Sequence, residues 1–515
     1  MKVVTASRVV TARGILGDAI LVDAGRVVAV GHRDDPRFAD LPRLRHDGVI
    51  VPGFVDSHLH PVGYAAAVGG LSLGPARGFD DLADLLGTAL AQREPTPALV
   101  AVRLDEANLA EGRLPTADDL DRWTGDVPTL VYRYCGHVAV ANRAALRLAG
   151  VDAATPDPPG GIVDRDDEGE PTGVLRETAI GLVAPAVASR VAPPSPDELL
   201  AAMNSLVGLG ITRIVGIAAS GTNDLWCGPD DEVETLASIA ARLPLDVHLF
   251  VATTEPSRLR RSAEVVGRAG GRLHFAGLKL FADGSFGGRT AALHEPYTDD
   301  PANRGTLRLD PARDRLLVAL ALDLGGSAAI HAIGDRAIDA TLDLLAEFGG
   351  DGPPARIEHV SLPTGEAIAR MVDLGVVASV QPPFLTSEGT WLAPRLGART
   401  ERVYPFATLR RQGIVTVGGS DSPVERPDPL VGLSAARDRC GFATAEALSG
   451  AEALALYTDD PHRVLGLPPP LSVGAPADLV VLDGDPTEAD PRSLNIVAVY
   501  RAGEPVGTAT LPWPG

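Results

Sequence analysis

The apolar positions fall into two textures. From the N-terminus to about Gly48, short alternating runs (Lys2 to Thr11, Ala19 to Val22, Arg26 to Val30) are separated by turn residues, with Asp23-Ala24-Gly25 at a hairpin turn. The C-terminal end repeats this texture in Leu479 to Leu482 and Ile496 to Tyr500, punctuated by Gly474 and Gly484. Two such short β segments cannot each bury a core, so they are expected to join in one sheet or sandwich, a β-sandwich-like domain beside the larger centre. The centre instead carries longer apolar runs: Val49 to Phe54, Ile211 to Ile217, Leu245 to Val251, Phe275 to Phe281, Ser327 to Ile333, Arg356 to Val360, Val376 to Val380 and Ile414 to Val417. Helix-length stretches such as Glu232 to Arg242, Asp335 to Glu347 and Pro363 to Leu374 lie between them. Eight strands alternating with helices predict an α/β fold, a (β/α)8 barrel.

Residues from about Pro61 to Leu206 break that rhythm and read as a long insertion after the first barrel strand, with a hairpin around Asp164 to Gly173. The expected organisation is a composite β-domain from residues 1–50 and 468–515, and a catalytic barrel over 51–467 containing the insertion at about 62–206. An insertion at that end of a barrel strand would hang over the active-site mouth.

Composition changes the picture in three places. A net charge of −21 over 515 residues argues against a nucleic-acid or acidic-membrane partner, both of which need clustered positive charge. No window approaches the apolar length of a membrane span, the first residues lack a signal peptide's apolar core, and Cys135, Cys227 and Cys440 lack metal-type spacing. A reducing cytoplasm is the expected location. Among 46 basic residues, Lys2 and Lys279 are the only lysines, and Lys279 lies in the apolar run of Gly277 to Gly284. Arginine stays protonated, whereas a buried lysine can present a neutral amine that acts as a nucleophile, a base or a carbamate former. Pairing with Asp283 is the structural alternative.

The remaining candidates fall at strand ends. His58 and His60 are two apart, which on a strand puts both imidazoles on one face. Alone, such a pair is more often two hydrogen-bonded core histidines than a metal site. His331, His359 and Asp421 each end or adjoin a later run, at the end of a barrel strand where this fold builds its sites. Buried imidazoles and a carboxylate converging there are costly unless paired or metal-bound, and this donor set suits zinc, with cobalt, iron, manganese and nickel as alternatives.

Val51 to His60, reading Val-Pro-Gly-Phe-Val-Asp-Ser-His-Leu-His, resembles the first-strand motif of the amidohydrolase superfamily. Lys279 to Ser285 with Arg289-Thr290-Ala291, His331 to Asp335, Ile357-Glu358-His359, Gly419 to Val424 and Gly474 to Val480 resemble its branch of YtcJ-like proteins and N-substituted formamide deformylases. The resemblance implies a distorted metal-containing barrel with two metals, zinc first among them. His58, His60 and Asp421 would hold one, His331 and His359 the other, with a carbamylated Lys279 bridging. It further implies hydrolysis of a carbon–nitrogen bond in an amide-like or formamide-like small molecule by a metal-activated hydroxide, Asp421 acting as general base and acid. His137, Arg133, Asp283 and Arg289 are candidate substrate contacts, each with a structural role as the alternative. Asn142 lies in the same segment as Arg133 and His137; Trp226, Phe286, Phe384 and Trp391 are candidate pocket aromatics. Glu358, next to a ligand on a strand, is expected to face away and support the barrel. A homodimer is the default assembly. Two rivals stand beside this reading: a mononuclear deaminase-like hydrolase, and a non-catalytic metal-binding scaffold or regulatory protein.

Overall fold

The computed structural model describes residues 1–507 except 93–96, 134–137, 159–160, 178, 192, 222–230, 350–351 and 390–391. Eight parallel strands form the centre: β1 (Phe54–Leu59), β2 (Ile211–Ala219), β3 (Asp246–Ala252), β4 (Leu273–Phe281), β5 (Ser327–Ala332), β6 (Arg356–His359), β7 (Val377–Val380) and β8 (Thr416–Gly418). They pair in that order as one sheet. At the end of β1 and just beyond β8 the sheet is drawn together by a parallel bridge between Leu59 and Ser422 and by the backbone bonds around it. Asp421 N–H donates to the His58 carbonyl at 2.7 Å and His60 N–H to the Ser422 carbonyl at 2.9 Å. β1 and β2 are buried at every position; β2 accordingly reads as a nearly continuous apolar run rather than as alternation, whereas β1 buries the polar Asp56, Ser57 and His58.

The two chain ends meet as expected. Lys2–Thr11, Gly14–Asp23 and Arg26–Gly31 form a meander, joined through Val49–Pro52 to Leu479–Leu482, Ile496–Arg501 and Glu504–Val506. Val4, Val9, Ile20, Val22, Leu479 and Val481 pack as one core under this sheet. Arg501 docks it on the barrel, its guanidinium meeting Asp478 at 2.6 Å and Asp246 of β3 at 3.1 Å. One boundary differs from the sequence reading. Val49–Pro52, expected as the start of the first barrel strand, pairs instead with Leu479–Leu482 and the N-terminal strand. The chain changes sheets at Gly53, where a β-carbon would fall 2.4 Å from the Thr212 hydroxyl.

The insertion carries its own six-stranded sheet, which includes the predicted hairpin as Gly161–Arg165 and Pro171–Glu177, and its own apolar clusters. No described helix is long and apolar enough to cross a membrane.

Candidate metal centre

Three side chains from the two flanks of the barrel seam and from β6 converge. A ring nitrogen of His58, one of His359 and a carboxylate oxygen of Asp421 lie within 4.8 Å of one another. Among the described residues this is the one group of three histidine, cysteine or acidic side chains so placed. The His58 ring lies 5.6 Å from that of His60 and 5.1 Å from that of His359, and the His331 ring lies 4.5 Å from that of His359. The four histidines expected at strand ends therefore gather at one end of the barrel.

Hydrogen bonds behind the rings decide which nitrogens face inward. His58 Nδ1 lies 2.5 Å from the Glu358 carboxylate and His359 Nδ1 2.7 Å from the Gln381 amide oxygen. Both partners accept, so each ring carries its proton on Nδ1 and keeps the Nε2 lone pair for a cation. His331 is reversed. Its Nε2 lies 2.9 Å from the Gly284 carbonyl, which can only accept, so its lone pair is on Nδ1. Asp421 Oδ1 lies 3.2 Å from His58 Nε2 and 3.1 Å from His60 Nε2.

Charges in this buried cluster are strongly coupled. Burial alone would raise the Asp421 carboxyl, but the His58 and His60 imidazoles outweigh it and hold it well below the usual carboxylate range. Burial pulls His58 down while Asp421 and Glu358 push it up, with a net rise. Burial lowers His60 and, with neighbouring His331, takes His359 well below an ordinary imidazole. A neutral His359 and an ionised Asp421 are in the protonation states that a divalent cation requires of its ligands, whereas His58, favoured in its protonated form, would release a proton on binding one.

Backbone conformation contributes as well. His359 and Val360 have φ of 76° and 46°, and Asp421 has 57°. Left-handed backbone in these residue types costs about 1–2 kcal/mol each, and two of the three converging residues carry it. The turn at His359 also explains why Glu358 does not face away from the site as alternation predicts. Arg356 and Glu358, two apart, both point inward and pair at 2.6 Å. The left-handed turn then swings the His359 ring inward beside them, since alternation holds only for extended backbone. Arg356, almost wholly buried, also donates to the Ser57 carbonyl and the Ser379 hydroxyl, tying β6 to β1 and β7. An arginine–glutamate pair at i, i+2 in a barrel strand is the sequence signal that locates this support. Asp56 is absent from the candidates that the sequence yields. Its Oδ1 accepts the N–H of His58 and of Ser420, each at 3.1 Å, and burial pushes its carboxyl up to about 6.

Lys279 is almost completely buried, and its Nζ has no hydrogen-bond partner, lying 5.0 Å from the Phe281 ring. Upstream in β4, Ala276 is an extra residue opposite β3, and Gly277 at φ 142° passes so close to β5 that a β-carbon would sit 1.9 Å from the Ser327 carbonyl. Burial lowers the ammonium to about 8, against the pull of Glu358 and Asp421. The metal-free folded state then binds fewer protons than the unfolded chain between about pH 8 and 10.5. Its stability rises with pH across that window, and the protonated amine costs on the order of 3 kcal/mol at pH 7. Denaturant melts of apo protein should show that rise. Lys279→Met should remove it and be the more stable at neutral pH; a pH slope unchanged by the substitution would refute this.

The remaining candidates have other partners. The buried Asp283 carboxylate accepts the N–H groups of Ala292, Ile333 and Gly334 at 2.8, 3.1 and 2.8 Å, and lies 3.3 Å from His331 Nε2. Arg289 pairs with Asp299 at 2.9 Å and Arg133 with Glu106 at 2.8 Å. Asn142 caps the helix Arg143–Ala149. Phe286 is buried, and Phe384 stacks on the His359 ring at 5.9 Å. His137, Trp226, Trp391, Cys135 and Cys227 lie outside the described residues.

Residues 46–507 match the profile of the amidohydrolase family. The chain belongs to that family. It is 31% identical to the Bacillus subtilis protein YtcJ over 470 residues, covering 88% of this chain and 87% of that one. It is 26% identical to the N-substituted formamide deformylase of Arthrobacter pascens over 528 residues, covering 96% of each. A metal-dependent hydrolase of uncharacterised activity from Pyrococcus horikoshii superposes with a TM-score of 0.76 at 27% identity, over 96% of this chain and all of that one. With the family's barrel and a metal-binding trio, this chain is a hydrolase acting on carbon–nitrogen bonds.

Proposed function

We propose that this enzyme hydrolyses the amide or formamide bond of a small molecule at a single divalent metal, zinc by its donor set, held by His58, His359 and Asp421. The convergence of those three carries the reading, because both rings are locked from behind with Nε2 lone pairs turned inward. A bound divalent cation would supply Lewis acidity, polarising a carbonyl and lowering the pKa of water. The chain's own residues do the rest. Asp421 is ionised, with Oδ1 turned to His58 and His60. Its carboxylate takes the proton of the attacking water and returns it to the leaving nitrogen. Glu358 and Gln381 keep the two rings in the tautomer and orientation the site needs.

A second reading, two metals bridged by carbamylated Lys279, draws on a specific observation. The amine is buried, unpartnered and lowered towards neutrality, and the neutral amine is the form that attacks carbon dioxide. On that reading His58, His60 and Asp421 would hold one cation and His331 and His359 the other, with the carbamate adding anionic oxygens between them. Lys279→Ala separates the two. On the two-metal reading it loses one of two metals and most activity, with partial rescue by small carboxylates.

The hydrolase reading is tested by amine release from N-formyl amines, N-acyl amines and cyclic amides. Turnover of at least one class, abolished by a chelator and restored by zinc or manganese, is expected. Full metal loading without turnover across the panel would favour a non-catalytic metal-binding protein.

A further inference from the structure

We propose that Asp56 is a positioning residue that clasps the two sides of the barrel seam and thereby sets the separation of the metal-binding side chains. The inference rests on the metal reading of His58, His359 and Asp421. Every other neighbouring pair of barrel strands is joined by a ladder, whereas β8 and β1 stand at the two ends of the pairing order. Across that seam the described backbone contacts are the bridge at Leu59 and Ser422 and the bonds from Asp421 N–H to the His58 carbonyl and from His60 N–H to the Ser422 carbonyl. Yet His58 and His60 lie on one side of it and Asp421 on the other. The junction with the least ladder is the one whose width matters most to the site.

Asp56 spans it with one atom. Its Oδ1 accepts from His58 N–H on β1 and from Ser420 N–H just beyond β8, both at 3.1 Å. One donor is the backbone of His58 itself and the other that of the residue before Asp421, so the carboxylate fixes main chain rather than ring. The approach is close enough that a β-carbon on Gly419 would fall 2.5 Å from His58 N and 3.0 Å from Asp56 Oδ1. Asp56 is buried, and no salt bridge reaches it among the described residues. Its burial is offset chiefly by hydrogen bonds from Ser420 and from the His58 backbone, with the charge of the His58 ring the smaller contribution, so neutralising a neighbour's charge is not its main part. Holding two backbone donors together is.

Cobalt(II) titration of metal-free wild-type protein, Asp56→Asn and Asp56→Ala, monitored by visible absorption, tests this. Asparagine keeps an oxygen for both donors, so Asp56→Asn should bind within about threefold of wild type with the same spectrum. Asp56→Ala should bind about 10–100-fold more weakly, as loss of an outer support does, with a displaced band. Wild-type affinity and spectrum in Asp56→Ala, or equal impairment of both variants, would overturn the clasp. If the alanine variant does not fold, Gly419→Ala should weaken binding and displace the band, and an unchanged spectrum there would overturn it equally. Wild-type protein that binds no cobalt would instead overturn the metal reading itself.

Discussion

Asp421→Asn is expected to keep its metal and lose turnover by about 10²–10⁴-fold, the range that a positioned general acid–base supplies. The amide is nearly isosteric and retains an oxygen facing His58 and His60, which lie 3.2 and 3.1 Å from Oδ1. It cannot take up and return a proton. Asp421→Ala removes ligand and base together, so metal and activity should both be lost. The imidazoles hold the Asp421 carboxyl well below the usual carboxylate range in spite of its burial. The acid limb of wild-type kcat/KM assigned to this group therefore falls below that range, and it should disappear in the residual activity of Asp421→Asn. Full activity in Asp421→Asn at full metal loading would remove this residue from the proton-transfer step.

The second large effect is on stability. Glu358 is fully buried, accepts from Arg356 at 2.6 and 3.0 Å, and orients His58 at 2.5 Å. Glu358→Ala leaves the Arg356 guanidinium buried without its carboxylate, a loss of about 3–5 kcal/mol. It also frees the His58 ring, which should weaken metal binding by about 10–100-fold. Glu358→Gln keeps acceptors for both partners and should lose less on both counts. Denaturant melts of the apo proteins and metal titrations separate the two effects. An apo Glu358→Ala protein as stable as wild type would show that the contacts of Arg356 with the Ser57 carbonyl and Ser379 hydroxyl suffice without the carboxylate.

Much of this is legible in the sequence, for identifiable reasons. Barrel strands buried on both faces leave long apolar runs, and ligands at their ends stand out as polar residues where an apolar run stops. His58, His331, His359 and Asp421 are visible for that reason. The first strand is misplaced by sequence because Val49–Pro52 is as apolar as Phe54 and Val55 just after it; only its partner, Leu479–Leu482, reveals that it belongs to another sheet. The orientation of Glu358 escapes the sequence because alternation presumes extended backbone, and no local pattern announces the left-handed turn at His359. Asp283 is legible as a residue near Lys279, but its three backbone donors come from loops 9 to 51 positions away. Partners at that distance are set by the closed barrel.

The metal content of purified wild-type protein beside His58→Ala, His359→Ala and Asp421→Ala tests the central claim most directly. The expected result is one tightly held divalent metal in the wild type, lost in all three variants while each remains folded. Wild-type protein that hydrolyses amides without metal, or variants that retain it at the wild-type level, would contradict the assignment.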